Sequence, residues 1–232
     1  MIKKLKNNLL NYELIIFDSD GVILNSNKVK ETAFIKLARE YNVKSSELEI
    51  INLIRNHKGK SRYEIIKDLL VKIKNKEIKC ELLYKELLLR YSEIVEEKLE
   101  TCESSNKLKV FRKKNKSSWL VLTAGDERET INIYKKRGIY KFFDLGILGA
   151  PRLKKDNLNY LNNIHKNILL KKILYIGDSI NDFELARECN FDFILIKDWS
   201  TCTKIKDETI TSLVNNYSSL DEFINDYLQY IY

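Results

Sequence analysis

The stretch LIIFDSDGV, residues 14–22, decides how this chain folds. Its first four residues are continuously apolar, which is typical of a parallel strand that is buried on both faces. Asp18 and Asp20 follow directly, and with one residue between them their carboxylates point the same way if the chain stays extended. Asp20 and Gly21 then predict a turn. The stretch therefore predicts a buried strand that delivers two acidic groups to one edge of a sheet.

Similar apolar runs return later in the chain. They lie at residues 119–122, 173–176 and 193–196, and a weaker one lies at 145–148. Helical patterns separate them: residues 126–137, with Asp126 as N-cap and Gly138 as stop, 155–165, 180–189 and 220–230. Strands that alternate with helices at this spacing predict an α/β fold, in which a parallel sheet has helices on both faces.

The segment 27–116 breaks this alternation. It shows only helical periodicity, at residues 32–41, 61–73 and 78–99. The last of these carries one apolar stripe, formed by Leu83, Leu87, Tyr91, Ile94 and Val95. We therefore predict a core domain made of residues 1–26 and 117–232, into which residues 27–116 are inserted as an all-helical cap domain.

Composition and charge narrow the classes of function. A chain of 232 residues with 44% hydrophobic residues fits one α/β domain with an insertion. The net charge of +8 favours an anionic partner, but the lysines are spread along the chain, so no nucleic acid partner is expected. The four cysteines form no CxxC pair, which predicts neither a zinc site nor a disulfide framework. With no signal-peptide pattern and no apolar run of membrane-spanning length, we expect a cytoplasmic protein without a membrane partner.

Polar residues also follow the other predicted strands. The second predicted strand ends in TAGD at residues 123–126, and the run at 173–176 ends in GDSIND at 177–182. Between them, GAPRLKK at 149–155 brings cations to the same edge. Ligands of open α/β sheets bind outside the carboxyl ends of the strands, so we expect these tips to meet at one site. Carboxylates, a hydroxyl and a lysine are the groups that phosphoryl transfer with Mg²⁺ requires.

The set DSDGV, LVLTAG, the lysine after GAPR, and GDSINDF resembles the four motifs of the haloacid dehalogenase superfamily. It most resembles the phosphoglycolate phosphatase and β-phosphoglucomutase branch, which has a helical cap inserted after the first strand. The motifs span residues 18 to 182. The resemblance implies a Rossmann-like core and a Mg²⁺-dependent phosphatase, a phosphoric monoester hydrolase that acts on a small phosphorylated metabolite.

The resemblance also implies the residues of the chemistry. Asp18 would attack the phosphorus and form an aspartyl-phosphate. Asp20 would protonate the leaving oxygen and then activate the water that hydrolyses the intermediate. Thr123 and Ala124 would bind the phosphoryl group, and Lys154 would add positive charge beside it. Haloacid dehalogenases proper and phosphonoacetaldehyde hydrolases lack an acid at the position of Asp20, so its presence favours phosphate esters.

The metal site is implied in the same way. Asp178 would hold Mg²⁺ together with Asp18 and the backbone carbonyl of Asp20. Asp182 would orient Lys154 or a metal-bound water. The cation would also offset the repulsion between an anionic nucleophile and an anionic substrate.

Two assignments stay open at the level of sequence. Lys154 and Lys155 are adjacent, and the spacing from the GAPR motif favours Lys154, while either could be a solvated lysine at a helix start. In the predicted cap, Arg62 could bind a second anionic group of the substrate, with His57 and Lys58 as weaker candidates. The alternative interpretation of this polar cluster is an ordinary solvated loop.

Two other functions are compatible with these motifs. A phosphomutase of the same branch would have nearly the same site, and it would differ in cap contacts that shield the aspartyl-phosphate from water. A basic binding protein that keeps the fold without catalysis is disfavoured, because the motif residues are intact. The sequence identifies neither the substrate nor the oligomeric state.

Overall fold

A computed structural model of the chain describes residues 11–56, 61–73, 80–201 and 214–229. Within these ranges the fold is built from one sheet, from helices on both of its faces, and from a helical segment that follows the first strand. The polar groups identified above lie at one edge of the sheet, so its order and direction position the site.

The described sheet has six strands, and every neighbouring pair is parallel. They are β1 (Leu14–Phe17), β2 (Ser118–Asp126), β3 (Ile147–Ala150), β4 (Ile173–Gly177), β5 (Asp192–Ile196) and β6 (Asn215–Tyr217). Their spatial order is β3-β2-β1-β4-β5-β6. β1 is therefore central and lies between β2 and β4, at the point where the strand order reverses, and this is where open α/β sheets bind ligands.

The helices alternate with the strands after a first group that follows β1. They are α1 (Asn27–Glu40), α2 (Glu47–Asn56), α3 (Arg62–Val71), α4 (Cys80–Thr101), α5 (Leu108–Lys114), α6 (Glu127–Lys136), α7 (Lys154–Ile164), α8 (Ile180–Glu188) and α9 (Leu220–Gln229). Short 3-10 turns lie at Tyr140–Phe142 and Ile168–Leu170. No helix in the described part of the chain is both long and apolar enough to cross a membrane.

Successive residues of the central strand enter two different hydrophobic clusters. Ile15 and Phe17 belong to one cluster, and Leu14 and Ile16 belong to the other. All four side chains are buried, since a parallel sheet with helices on both faces leaves neither face in water. The predicted α/β fold with a covered parallel sheet is thus confirmed.

The predicted strands and helices lie close to the observed ones, with three omissions. β6 was missed because its sequence, NNY, has no apolar run, and α5 was missed because it is only two turns long. α2 was missed although its sequence ELEIINLIRN has helical periodicity. α1 begins at Asn27 rather than at residue 32, because its first turn, NKVK, has Val29 as its one apolar residue and gives a weak apolar signal.

The helices α1 to α4 pack on one another beside the carboxyl edge of the sheet. The apolar stripe predicted on α4 is buried along its length, and Phe34 of α1 stacks on Tyr91 of α4 with ring centroids 4.2 Å apart. α5 packs against the sheet instead, because the ring of Phe111 contacts Trp119 of β2 at a centroid distance of 5.0 Å. The division into core and cap stays a prediction, and this contact favours ending the inserted cap before Leu108.

Candidate active site

The predicted site residues meet at the carboxyl edge of the sheet. Asp18 directly follows β1, and Asp178 directly follows the neighbouring β4. Gly21 adopts φ +82°, which makes the tight turn that the sequence predicts after Asp20. A cavity of about 140 Å³ opens there, and its sheet side is lined by Asp18, Asp20, Asp178 and Lys154.

Asp18 is buried and held in a fixed orientation. Its Oδ1 accepts a hydrogen bond from Ser19 N at 2.8 Å and lies 3.1 Å from Lys154 Nζ. Burial, with the nearby charges of Asp182 and Asp20, raises the pKa of Asp18 to about 7, although Lys154 opposes this shift. No described residue donates a hydrogen bond to Oδ2, so this oxygen is free to act as a nucleophile or a ligand.

Lys154 is the cation of the site. It begins α7, and its Nζ lies 2.6 Å from Asp182 Oδ1 and 3.1 Å from Tyr175 Oη. Burial alone would lower the pKa of Lys154, but Asp18 and Asp182 outweigh this effect and raise it well above the ordinary value. The ammonium group is therefore charged. Lys155 points away, since its Nζ pairs with Glu188 at 2.9 Å on the surface.

These placements predict different effects for the two lysines. Lys154→Met should lower kcat/KM for phosphate release by about 10²-fold, because a charge beside the developing phosphoryl charge is lost. Lys155→Met, the matched control, removes only an exposed ion pair and should change kcat/KM by less than about threefold. Steady-state kinetics on both variants tests the assignment, and a larger loss in Lys155→Met would reverse it.

Asp182 orients Lys154 through a closed set of hydrogen bonds. Its Oδ1 accepts from Lys154 and from Tyr175 Oη, both at 2.6 Å, and its Oδ2 accepts from Ser179 Oγ at 2.6 Å. Burial opposes ionisation, but Lys154 and these donors lower the pKa of Asp182. Sequence reasoning missed Tyr175, because a tyrosine within an apolar run is usually a core residue.

The carboxylates fit a hard divalent cation. Oxygens of Asp18, Asp178 and Asp182 lie within 4.8 Å of one another. Both oxygens of Asp182 already accept hydrogen bonds, whereas Asp18 Oδ2 and Asp178 Oδ1 accept none from the residues that the structure describes. Burial and then the charge of Asp18 raise the pKa of Asp178 well above its usual range. Such crowded, oxygen-only donors are the ligands that Mg²⁺ prefers, and Asp18 and Asp178 are the two that could hold it.

Both oxygens of Asp20 receive hydrogen bonds from the start of α1. Ser26 Oγ donates to Oδ1 at 2.5 Å, and Lys30 Nζ donates to Oδ2 at 2.6 Å. Burial would raise the pKa of Asp20, but the charge of Lys30 and these two hydrogen bonds lower it. Asp20 is therefore ionised here, and Ser26 and Lys30 each engage one of its oxygens.

Sequence reasoning missed Ser26 and Lys30, although a signal was present. The side chains of α1 that line the cavity are Asn27, Lys30, Glu31 and Phe34, which recur at intervals of three and four residues. This spacing places them on one face of a helix. If the helix had been predicted to start at residue 27, this face could have been predicted to lie beside the DSDGV motif.

The loop after β2 forms another wall of the cavity. Ala124 and Gly125 line it, while Thr123 lies fully buried behind them and its Oγ1 accepts from Gly125 N at 2.9 Å. A Cβ on Gly125 would stand 3.2 Å from Thr123 Oγ1 and 3.3 Å from Asp20 Oδ2. Thr123 is thus near the site, and its predicted contact with a phosphoryl group stays a prediction.

Arg62, the first residue of α3, lines the same cavity. It is 7% exposed, and its guanidinium pairs with Glu129 Oε1, donates to Ser92 Oγ at 2.7 Å and lies over the Tyr91 ring at 5.0 Å from the centroid. The interpretation as a solvated loop residue is therefore wrong for Arg62. His57 and Lys58, the other cap candidates, lie outside the described residues.

The burial of Arg62 predicts a large effect on stability. Arg62→Met should lower the free energy of unfolding by about 3 kcal/mol, because Glu129 is left as an unpaired buried charge. Arg39 pairs with Glu47 on the surface, with side chains 69% and 50% exposed, so Arg39→Met should cost less than about 1 kcal/mol. Urea unfolding of both variants makes the comparison, and equal losses would contradict it.

Comparisons with known proteins agree with this geometry. The model of the family described as haloacid dehalogenase-like hydrolase matches residues 15–196. The chain therefore belongs to the haloacid dehalogenase-like hydrolases, and the predicted enzyme class is confirmed. No curated protein sequence matches the chain significantly.

Solved structures share the fold over most of both chains. CbbY from Rhodobacter sphaeroides, crystallised with phosphate, is 14% identical with a TM-score of 0.70, and the match covers 91% of this chain and 96% of that one. A predicted phosphoglycolate phosphatase from Haemophilus somnus is 18% identical with a TM-score of 0.69, covering 95% and 98%. A candidate β-phosphoglucomutase from Thermotoga maritima is 16% identical with a TM-score of 0.63, covering 95% and 100%. At these identities the likeness shows the fold, and the names agree with the predicted branch.

Proposed function

We propose that the protein is a Mg²⁺-dependent phosphatase that hydrolyses a small phosphorylated metabolite through an aspartyl-phosphate on Asp18. One observation carries the proposal. A buried carboxylate at the tip of the central strand has one oxygen 3.1 Å from the Lys154 ammonium and the other free, and it lines a cavity. An anionic nucleophile held beside a cation is the arrangement that attack on a phosphoryl group requires.

The first step is assigned to Asp18 and Lys154. Asp18 Oδ2 attacks the phosphorus, the bond from phosphorus to the ester oxygen breaks, and an acyl phosphate remains on Asp18. Lys154, which Asp182 holds in place, stabilises the negative charge that develops on the phosphoryl oxygens. Asp18 and Asp178 would hold Mg²⁺, which supplies positive charge that lets an anionic substrate approach an anionic nucleophile.

Asp20 is assigned the proton transfers. As a carboxylic acid it protonates the leaving oxygen, and as a carboxylate it then takes a proton from the water that attacks the phosphorus. The bond from phosphorus to Asp18 breaks, inorganic phosphate leaves, and Asp18 is free again. Both Ser26 and Lys30 hold Asp20 in its ionised state in the structure. We infer that substrate binding withdraws one of these donors, which raises the pKa of Asp20 so that it takes up a proton from solvent before it acts as an acid.

The cavity favours a small substrate over a protein or a nucleic acid. Its volume is about 140 Å³, and the helices α1, α3 and α4 cover the side opposite the sheet with Phe34, Ile65 and Tyr91. A variant of CbbY has been crystallised with xylulose-1,5-bisphosphate, which carries a second phosphate. Arg62 lines the cavity here, and we propose that it contacts a second anionic group.

The cytoplasmic location of the protein stays a prediction.

A phosphomutase is the second candidate, and Arg62 is the observation that favours it. A mutase must bind a phosphate group distant from the nucleophile in one orientation of its sugar phosphate, and Arg62, which lines the same cavity as Lys154, is a candidate for that site. A mutase would convert a sugar monophosphate into its isomer without net release of phosphate. Product analysis of sugar phosphates therefore separates the two functions.

The direct test is phosphate release from a panel of small phosphorylated metabolites, with and without Mg²⁺. We expect release from at least one compound, and removal of the cation with EDTA should lower it by about 10³-fold or more, because Asp18 and Asp178 then repel the substrate. Added Mg²⁺ should restore the rate. If no compound gives either phosphate release or isomerisation, that result would support the non-catalytic binding protein instead.

A further inference from the structure

Asn27 makes a contact that the mechanism above does not use. It is the first residue of α1, and its Nδ2 donates to Asp178 Oδ2 at 2.8 Å and to the backbone oxygen of Trp199 at 2.9 Å. The backbone oxygen of Trp199 can only accept a hydrogen bond, so the nitrogen of the amide must face it. Asn27 thus joins the start of the helical segment to a carboxylate of the proposed metal site.

The turn after the nucleophile leaves room for this contact. A Cβ on Gly21 would stand 2.3 Å from both Asn27 Nδ2 and Asp178 Oδ2. Real Cβ atoms do not approach other atoms so closely, and the φ of +82° at Gly21 disfavours any side chain as well. The absence of a side chain at Gly21 therefore makes room for the contact between Asn27 and Asp178, in addition to allowing the turn.

The contact also sets the direction of the Asp178 carboxylate. Among the described residues, Asn27 is the hydrogen-bond donor to this carboxylate, and it engages Oδ2 alone. Oδ1 is left for a cation. Ser200 Oγ donates to the backbone oxygen of Asp178 at 2.7 Å, so the segment at Trp199 and Ser200 is held against the same residue.

We propose that Asn27 is a positioning residue that orients Asp178 for a divalent cation and couples cation binding to the start of the helical insertion. The inference rests on the proposed metal site. Partners that orient a metal ligand typically contribute 10-fold to 100-fold to metal affinity. Because coupling between two sites is reciprocal, a bound cation must in turn stabilise the first turn of α1.

Calorimetric titration of the full chain with Mg²⁺ tests the proposal. Asn27→Leu keeps the side-chain volume and removes the donor, and it should weaken the Kd for Mg²⁺ by about 10-fold or more. Asn25→Leu is the matched control, because its amide donates to exposed Glu103 at 3.2 Å and Asn25 is not among the residues that line the cavity. It should change the Kd by less than about twofold. Asn27→Ser, which is too short to reach Asp178, should behave like Asn27→Leu if the leucine variant does not fold.

Hydrogen exchange supplies an independent readout. In wild type, Mg²⁺ should slow amide exchange in the first turn of α1, and in Asn27→Leu this effect should disappear. If wild type itself binds no Mg²⁺, the proposed metal site fails. If both proteins bind Mg²⁺ equally well, the metal site stands and the role of Asn27 is wrong.

Discussion

Asp18→Asn is expected to lower kcat/KM for phosphate release by at least about 10⁴-fold, the largest effect of any single substitution in this chain. The amide has nearly the same shape as the carboxylate but is no nucleophile, so the covalent route is closed. Lys154, which Asp182 holds in place, remains to bind the substrate, and the loss should therefore fall on kcat more than on KM. Steady-state kinetics with the best substrate of the panel gives both constants.

Stability measurements separate this loss from misfolding. Asp18 is one of several buried carboxylates that crowd one another, so removing its charge should leave the free energy of unfolding in EDTA unchanged or raised. Asp192→Asn is a matched control, because Asp192 begins β5 and so lies at the end of its strand that is away from the site. Its Oδ2 accepts a hydrogen bond from Tyr12 Oη at 2.8 Å. That variant should keep its activity. An Asp18→Asn protein with more than about one-tenth of wild-type activity would contradict the assignment.

Asp20→Asn is expected to have the second largest effect, and its size should depend on the leaving group. For an alkyl phosphate, whose leaving oxygen needs a proton, we expect a loss of about 10³-fold. For p-nitrophenyl phosphate, which leaves without protonation, the loss should be closer to about 10-fold. Measuring kcat/KM for both substrates gives the ratio that reports on the acid.

The hydrogen bonds of Asp20 define the control for this prediction. Ser26→Ala removes the donor to Oδ1 but leaves the carboxyl group, so its loss with the alkyl substrate should be far smaller than that of Asp20→Asn. Equal losses for both substrates in Asp20→Asn would contradict a role as acid. Asp20 would then act by holding the DSDGV loop rather than by transferring a proton.

Most strands of the sheet were predictable because a strand that is buried on both faces has a continuous run of apolar residues. β1, β4 and β5 are apolar runs with their ends within a residue of the predicted ones. β6 has no such apolar run, since its residues NNY are only half-buried at the edge of the sheet. Its place is set by pairing with β5, which no local pattern shows.

The site residues were predictable to the extent that they follow strands. Asp18 and Asp178 come at strand tips, and a parallel sheet brings such tips to one edge. Lys30 and Asn27 reach the site from a helix whose first turn has a single apolar residue, so its start was not recognisable from the sequence. The choice between Lys154 and Lys155 also depended on the direction in which α7 leaves β3, which places the first lysine inward and the second on the surface.

Trapping the covalent intermediate tests the central claim most directly. Wild-type enzyme would be mixed with substrate and Mg²⁺, quenched in acid within one turnover, digested and mapped by mass spectrometry. We expect a phosphoryl group on the peptide that carries residues 14–22, localised to Asp18 and absent from Asp18→Asn. Steady turnover with phosphate on another residue, or with no phosphorylated peptide at any quench time, would contradict it.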